Sequence, residues 1–246
     1  MKHEISKVRH DLRRRTLTVR AVERITPNMA RVTLEGPELE GFSSLSPDDH
    51  VKLFFPVAGS DEVEKRDYTP RRYDAAKGTL AIDFALHDPA QAGPALRWAL
   101  AAKPGDTLAM GGPKGSMVVP HDFDWWLLIG DETALPAIGR FLEELPAGTK
   151  VTTVIAVTGL EEEQRFDTKA AHRSIWVHRP ADQAYDSEPL LGELKTLRRE
   201  AGDGFVWIAA ETRVSSALKS FLLDVWQHNP DWFKAKGYWT AGKASD

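Results

Sequence analysis

The chain is predicted to be a β + α/β protein, with an N-terminal antiparallel β-barrel over residues 1–120 and a C-terminal parallel-sheet domain over 121–246. Three observations predict this. The 246 residues exceed what one compact core usually needs. From Leu17 to about Val119, short β-branched and aromatic runs recur between glycines and prolines, as in a closed antiparallel barrel. After Pro120, buried apolar runs alternate with segments of helical period, which implies an open parallel sheet covered on both faces. The change of period places the boundary near "VPHDFD", residues 119–124.

Taken in order, the chain opens with a basic arm carrying Lys2, Lys7, Arg9, Arg13, Arg14, Arg15 and Arg20, read as a solvated lead into the first strand. "TLTVRAVERI" and "MARVTLEG" are strands, and "GPELEGF" is a turn-rich connector. "HVKLFFPV", the segment "KRDYTPRRYD" (residues 65–74), "TLAIDFALH" and "DTLAMGGP" continue the barrel. One helix interrupts it: "GPALRWALAAK" follows Gly-Pro and sets Leu96, Trp98 and Leu100 on an apolar side. In the second half, "WWLLIGD", "KVTTVIAVTG", "RSIWVHR" and "GFVWIAAE" read as strands. "TALPAIGRFLEEL", "EPLLGELKTLRRE" and "SSALKSFLLDVWQH" read as helices. Trp125 and Trp207 fall in strand-like runs and are expected in the core, while Tyr238 and Trp239 belong to an aromatic tail beyond the last helix.

Composition excludes several function classes. A net charge of −4 argues against general nucleic-acid binding. The absence of cysteine excludes a thiolate zinc site, a protein-held iron–sulfur cluster, disulfides and a thiol nucleophile. No metal ligands and no acid–base triad are assigned. The N-terminus lacks the apolar stretch of a secretory signal, and no segment is long and apolar enough to span a membrane. A cytoplasmic protein that binds neither membrane nor nucleic acid is expected, as a monomer.

A barrel followed by a parallel α/β domain suggests a flavin reductase, and the residues sharpen that reading. Strand alternation puts Arg66 and Tyr68 on one side. Tyr68 is placed to stack on an isoalloxazine ring, Thr69 to hydrogen-bond near its redox edge, and Arg71 to reach a pyrophosphate. The competing reading is an exposed basic strand. Gly93, Pro94 and Ala95 open the barrel's helix, whose first turn offers unpaired N–H groups to phosphate, although proline is common at that position in any helix. His87 precedes this loop as a further cofactor contact or a structural histidine. Asp131, Thr133 and Ala134 lie between a buried strand and a helix, at a strand's carboxyl end where nucleotides bind in open α/β sheets. The alternative there is an ordinary helix cap.

"RDYTPRRYD", "HVKLFFP", "DFALHDPAQAGPALRWA", "GGPKGS", "GDETALPAI", "SIWVHR" and "GYWTAGKA", in this order from about Val19 to Gly242, resemble the siderophore-interacting protein family of flavin-dependent ferric-siderophore reductases. The resemblance implies a ferredoxin-reductase-like pair of domains, the first binding FAD and the second NAD(P)H. It implies FAD contacts from Arg66, Tyr68, Thr69, Arg71, His87, the Gly93–Ala95 loop and the Asp131–Ala134 turn. Leu96 stands where a small hydroxyl residue is common after "GPA" in such proteins, which removes one side-chain contact to phosphate. Lys52, a cation inside an apolar strand, matches a lysine assigned to substrate binding in that family. Arg140 and Lys243 are further candidates for the same role.

The implied reaction passes electrons from NADPH or NADH through FAD to a ferric siderophore, a catecholate or similar anionic chelate, and releases ferrous iron. A cationic pocket would attract such a substrate. The donor stays open at this level. Glu161, Glu162 and Glu163 after a buried strand favour a free 2′-hydroxyl, whereas Arg165, Arg179 and Arg213 suit a 2′-phosphate, and a ferredoxin is the remaining alternative. A flavin or ferredoxin-type oxidoreductase that ignores iron chelates, and a non-catalytic siderophore carrier, are the competing functions. The tail with Tyr238 and Trp239 either covers the flavin or simply packs.

Overall fold

In the computed structural model, which describes residues 3–57, 59–87 and 93–242, the chain divides into two compact units that meet in sequence at Val119 and Pro120. The first unit contains β1 (Ser6–Arg9), β2 (Arg14–Thr26), β3 (Met29–Glu35), β4 (Val51–Pro56), β5 (Val63–Tyr68), β6 (Pro70–Asp74), β7 (Thr79–Ala85), α1 (Pro94–Ala101), β8 (Thr107–Gly111) and β9 (Gly115–Val118). Seven of these strands form one antiparallel sheet in the order β5-β4-β8-β2-β3-β7-β6. The two end members of that row, β5 and β6, are consecutive in the chain and separated by Thr69 alone. The sheet therefore has to curl until its ends meet, the geometry of a barrel. Alternation fills its interior: Leu17 and Val19, Val32 and Leu34, Val51, Leu53 and Phe55, Leu80, Ile82 and Phe84, and Leu108 and Met110 join one buried cluster.

Two features of this unit differ from the sequence reading. The N-terminal arm is not merely solvated, because β1 pairs with β9 from Ser6–Val118 to Arg9–Gly115. Arg15 is buried, donating from Nε to Glu38 O at 2.8 Å and from Nη1 to Gly112 O at 3.2 Å. Helix α1 turns Ala95, Leu96 and Ala99 inward, while Leu100 is 40% exposed and leaves the apolar side assigned to it.

The second unit contains β10 (Trp125–Gly130), α2 (Leu135–Glu144), β11 (Lys150–Val157), β12 (Ala171–His178), α3 (Glu188–Thr196), β13 (Gly204–Glu211), α4 (Thr212–Asp224) and β14 (Phe233–Trp239). All strand pairs are parallel, in the order β12-β11-β10-β13-β14. Every residue of β10 and β13 is buried, as expected for central strands covered on both faces. Trp125 and Trp207 are core residues, as their runs predicted. The last helix starts three residues earlier than its apolar period suggests, because Glu211 caps it, accepting from the N–H groups of Arg213 and Val214. The aromatic tail is itself a strand: β14 adds to the sheet edge beside β13. Gly237 allows this approach, since a Cβ there would lie 2.5 Å from Thr212 Oγ1.

Burial lowers the proton affinity of His172 and His228, both in this unit. The native state thus binds these protons more weakly than the unfolded chain does. Stability from this source is complete above the ordinary histidine pKa, near 6.5, and falls as pH drops through it. Thermal unfolding midpoints between pH 7.5 and 5 should decline accordingly, and His228→Asn should flatten the slope.

Candidate functional site

In the first unit the site is built on β5. Its register with β4 sets Tyr68 opposite Val51, Arg66 opposite Leu53 and Glu64 opposite Phe55. Glu64, Arg66 and Tyr68 therefore share the face of β4's buried residues. The Tyr68 ring packs on that core, 4.5 Å from Phe84 and 6.0 Å from Phe55 between centroids, and Trp98 of α1 joins the same cluster. Burial pushes the Tyr68 phenol up, so the hydroxyl stays protonated and available as a donor. Arg66 is held by Glu64, with Nη2 3.0 Å from Oε1. The same carboxylate oxygen stands 3.7 Å from where a Cβ on Gly93 would be, which brings β5 and the opening of α1 together. Ala95 and Leu96 are buried, so only their backbone can serve a ligand there, and Pro94 at the start of α1 has no N–H. His87 is exposed at the end of β7, and Thr69 is buried between β5 and β6.

Arg71 takes a different position. The pairing of β6 with β7 steps from Pro70–Ile82 to Arg72–Ala81, which leaves Arg71 as the extra residue of a bulge. Its side chain is 5% exposed, with Nε 3.8 Å from Asp83 Oδ2. Arg31 binds the same carboxylate through both oxygens, at 2.6 and 2.8 Å. Two guanidinium groups thus converge on Asp83 at the bulge, which favours an anion nearby.

Lys52 lies on the opposite face of the β4–β5 ladder from Arg66 and Tyr68. It sits opposite Asp67, and the two form an ion pair at 2.8 Å. Gly111 is its neighbour on β8, and Arg14 of β2 pairs with that same glycine. The outer face therefore carries Lys52 and Arg14 on either side of a position without a side chain. Arg14 also lies over the Phe54 ring at 4.5 Å.

In the second unit the sequence-predicted turn is held from within. Asp131 is buried and receives hydrogen bonds from Thr133 N at 2.9 Å, Thr133 Oγ1, Glu211 N at 3.0 Å and Trp239 Nε1 at 2.8 Å. Its carboxylate is fully engaged by the protein, so Asp131 shapes the turn between β10 and α2 rather than offering its side chain to a ligand. Ala134 is fully buried. Gly130 is required beneath it, because a Cβ there would collide with Ala134 Cβ and lie 2.8 Å from Ala209 O. Arg140 is buried within α2, with its Nε bound to Glu144 at 2.7 Å. Lys243 lies outside the described residues.

Sequence reasoning missed Glu64, which precedes Arg66 by two positions; the alternation that paired Arg66 with Tyr68 would have included it. Trp239, expected in an aromatic tail, donates to Asp131 through its place on β14. Glu132, within the predicted Asp131–Ala134 turn, binds Arg179 Nη2 through Oε2 at 2.7 Å across the sheet edge, and burial pushes its carboxyl up against the pull of that arginine.

Known proteins resemble this chain along nearly its whole length. A family model described as siderophore-interacting protein matches residues 123–242, and one described as siderophore-interacting FAD-binding domain matches 18–65 and 60–117. The NADPH-dependent ferric-chelate reductase of Escherichia coli is 36% identical over 255 residues, covering 96% of each chain. The ferric vibriobactin reductase ViuB of Vibrio cholerae is 28% identical over 236 residues, covering 89% of this chain and 86% of its own. The crystal structure of a siderophore utilization protein from T. fusca superposes with a TM-score of 0.90 at 36% identity, covering 98% of both chains.

Proposed function

Since the chain belongs to the siderophore-interacting protein family, we propose that it is an FAD-dependent reductase of ferric siderophores, driven by a nicotinamide dinucleotide and releasing ferrous iron in the cytoplasm. The observation that carries this reading is where the FAD-binding match falls: residues 18–65 and 60–117 span Arg66, Tyr68, Thr69, Arg71 and α1. Likeness to the Escherichia coli relative favours NADPH as donor.

The residues of the first unit fit such a cofactor. The start of α1 presents backbone N–H groups and a partial positive charge, which suit phosphate. Arg71 and Arg31 add cationic charge at the bulge, and the Tyr68 ring offers an apolar face. When bound, FAD converts a two-electron donor into one-electron steps that a ferric ion can accept. Tyr68 and Thr69 would orient the ring system, Arg66 and Arg71 would bind phosphate, and the core behind Tyr68 would exclude water. No side chain is asked to act as acid or base. Lys52, with Arg14 beside it, would draw the anionic chelate by exchanging Asp67 for substrate oxygens.

Purified protein should be yellow, with an oxidised-flavin band at about 450 nm, and should reduce ferric catecholate complexes. A colourless protein that binds the chelate would mean a carrier instead. Reduction of flavin without reduction of any chelate would mean a flavin or ferredoxin-type oxidoreductase. Lys52→Ala should slow chelate reduction several-fold while leaving flavin reduction by the donor intact. The wild-type chelate rate should fall as salt rises, and a rate indifferent to salt would remove Lys52 from the substrate site.

A further inference from the structure

Asp67 stands in a cationic patch. The strands β5, β4, β8 and β2 lie side by side in the first unit, and one row across them reads Asp67, Lys52, Gly111 and Arg14. The next row reads Lys65, Phe54, Ala109 and Thr16. Directly paired residues, and residues two apart on one strand, project to the same side. In these two rows Lys52, Lys65 and Arg14 therefore share the outer face with one carboxylate, that of Asp67.

The cations of this face are held differently. Arg14 lies over the Phe54 ring at 4.5 Å, a contact that does not neutralise its charge. Lys52 is paired with the carboxylate, Nζ to Asp67 Oδ1 at 2.8 Å, and His50 Nε2 stands 3.8 Å from Oδ2. The two side chains of the Lys52–Asp67 pair are 34% and 36% exposed, so water screens the pair and substrate oxygens can displace it. Its effect on an approaching ligand still depends on that ligand's charge. A lone ammonium attracts an anion in proportion to the anion's charge. With a carboxylate beside it the two act at a distance as a dipole, whose pull falls off faster. A ligand without net charge feels little of either arrangement.

We propose that Asp67 is a specificity-determining residue that sets the charge class of chelate this face accepts. By pairing with Lys52 it limits the attraction for highly charged anions, so that uncharged ferric chelates of the tris-hydroxamate type bind alongside trianionic tris-catecholates. This rests on the reading of Lys52 as a substrate contact.

The experiment is calorimetric titration of the FAD-loaded protein with gallium(III) complexes of a tris-catecholate and of a tris-hydroxamate, using wild type, Asp67→Asn and Lys52→Ala. Gallium(III) carries the charge of ferric iron and resists reduction, so the titration reads binding alone. Asp67→Asn should bind the trianionic complex about three- to tenfold more tightly and the uncharged one within about twofold of wild type. That gain should shrink at about 0.5 M salt, where screening is short-ranged. With the ferric complexes as substrates the same change should appear in KM rather than in kcat, a split that loosened packing does not give. The thermal midpoint of Asp67→Asn should stay near the wild type's, since an exposed pair contributes little to stability. An unchanged preference between the two complexes in folded Asp67→Asn overturns the proposal, as does a wild type that does not bind the uncharged complex. If Lys52→Ala still weakens the trianionic complex in either case, the reading of Lys52 stands without it. If Lys52→Ala weakens neither complex, that reading fails and the role of Asp67 falls with it.

Discussion

Replacing Asp131 with alanine is expected to destabilise the protein by about 3–5 kcal/mol, the sum of several lost hydrogen bonds and the buried donors left behind. Asp131 collects the N–H of Thr133, the N–H of Glu211 and the indole N–H of Trp239. Those groups come from the turn after β10, the end of β13 and the end of β14, so one carboxylate ties three strand ends together. Glu211 extends the knot. It is fully buried, caps α4 and accepts from Ala241 N at 3.1 Å. In a parallel sheet of order β12-β11-β10-β13-β14, strands are added to one side of β10 and then to the other, so the order of the sheet switches between β10 and β13, and Asp131 sits at that junction. Urea unfolding should therefore show a lower midpoint for Asp131→Ala, with Trp239→Phe losing a smaller part of the same stability. Asp131→Asn should fall in between, because its amide nitrogen faces N–H donors. Wild-type stability in Asp131→Ala would mean that these bonds do not hold the sheet edge.

Arg71→Ala should lose FAD about 10- to 150-fold, corresponding to about 1.5–3 kcal/mol for a charge-assisted phosphate contact. The barrel itself should survive, because Asp83 keeps both of its bonds to Arg31. That distinction makes the experiment informative. Circular dichroism and thermal melting of the apoprotein report the fold, while flavin retained after gel filtration reports the contact. Arg71→Lys should recover only part of the affinity, since a lysine keeps the charge but not the planar fork. Undiminished flavin binding by a folded Arg71→Ala would detach the bulge from the cofactor site.

Much of the fold was legible from local pattern. The period-2 run of β4 and the wholly apolar runs of β10 and β13 identify themselves, because a strand's burial is written in the residues that alternate or cluster along it. The face shared by Arg66 and Tyr68 followed from the same rule. Strands β1 and β14 were not legible. "SKVR" is exposed throughout and "FKAKGYW" is half-exposed with a central lysine and glycine, so neither has a face of its own to bury. Each becomes a strand because another strand offers it an open edge, β9 in one case and β13 in the other.

The amino-acid order by itself determined two halves of different architecture, and the arginine–tyrosine segment and helix opening on which the cofactor reading rests. The tertiary structure decided which charged side chains are free to act. Arg140 is spent on Glu144, Lys52 is turned to the face opposite Arg66, Arg71 is drawn inward by a bulge toward Asp83, and Arg179 is buried against Glu132. The physical reason is range. Periodicity is a property of neighbours along the chain, whereas the fate of a charge depends on which carboxylate the folded chain brings within about 3–4 Å and on how much water is left around the pair.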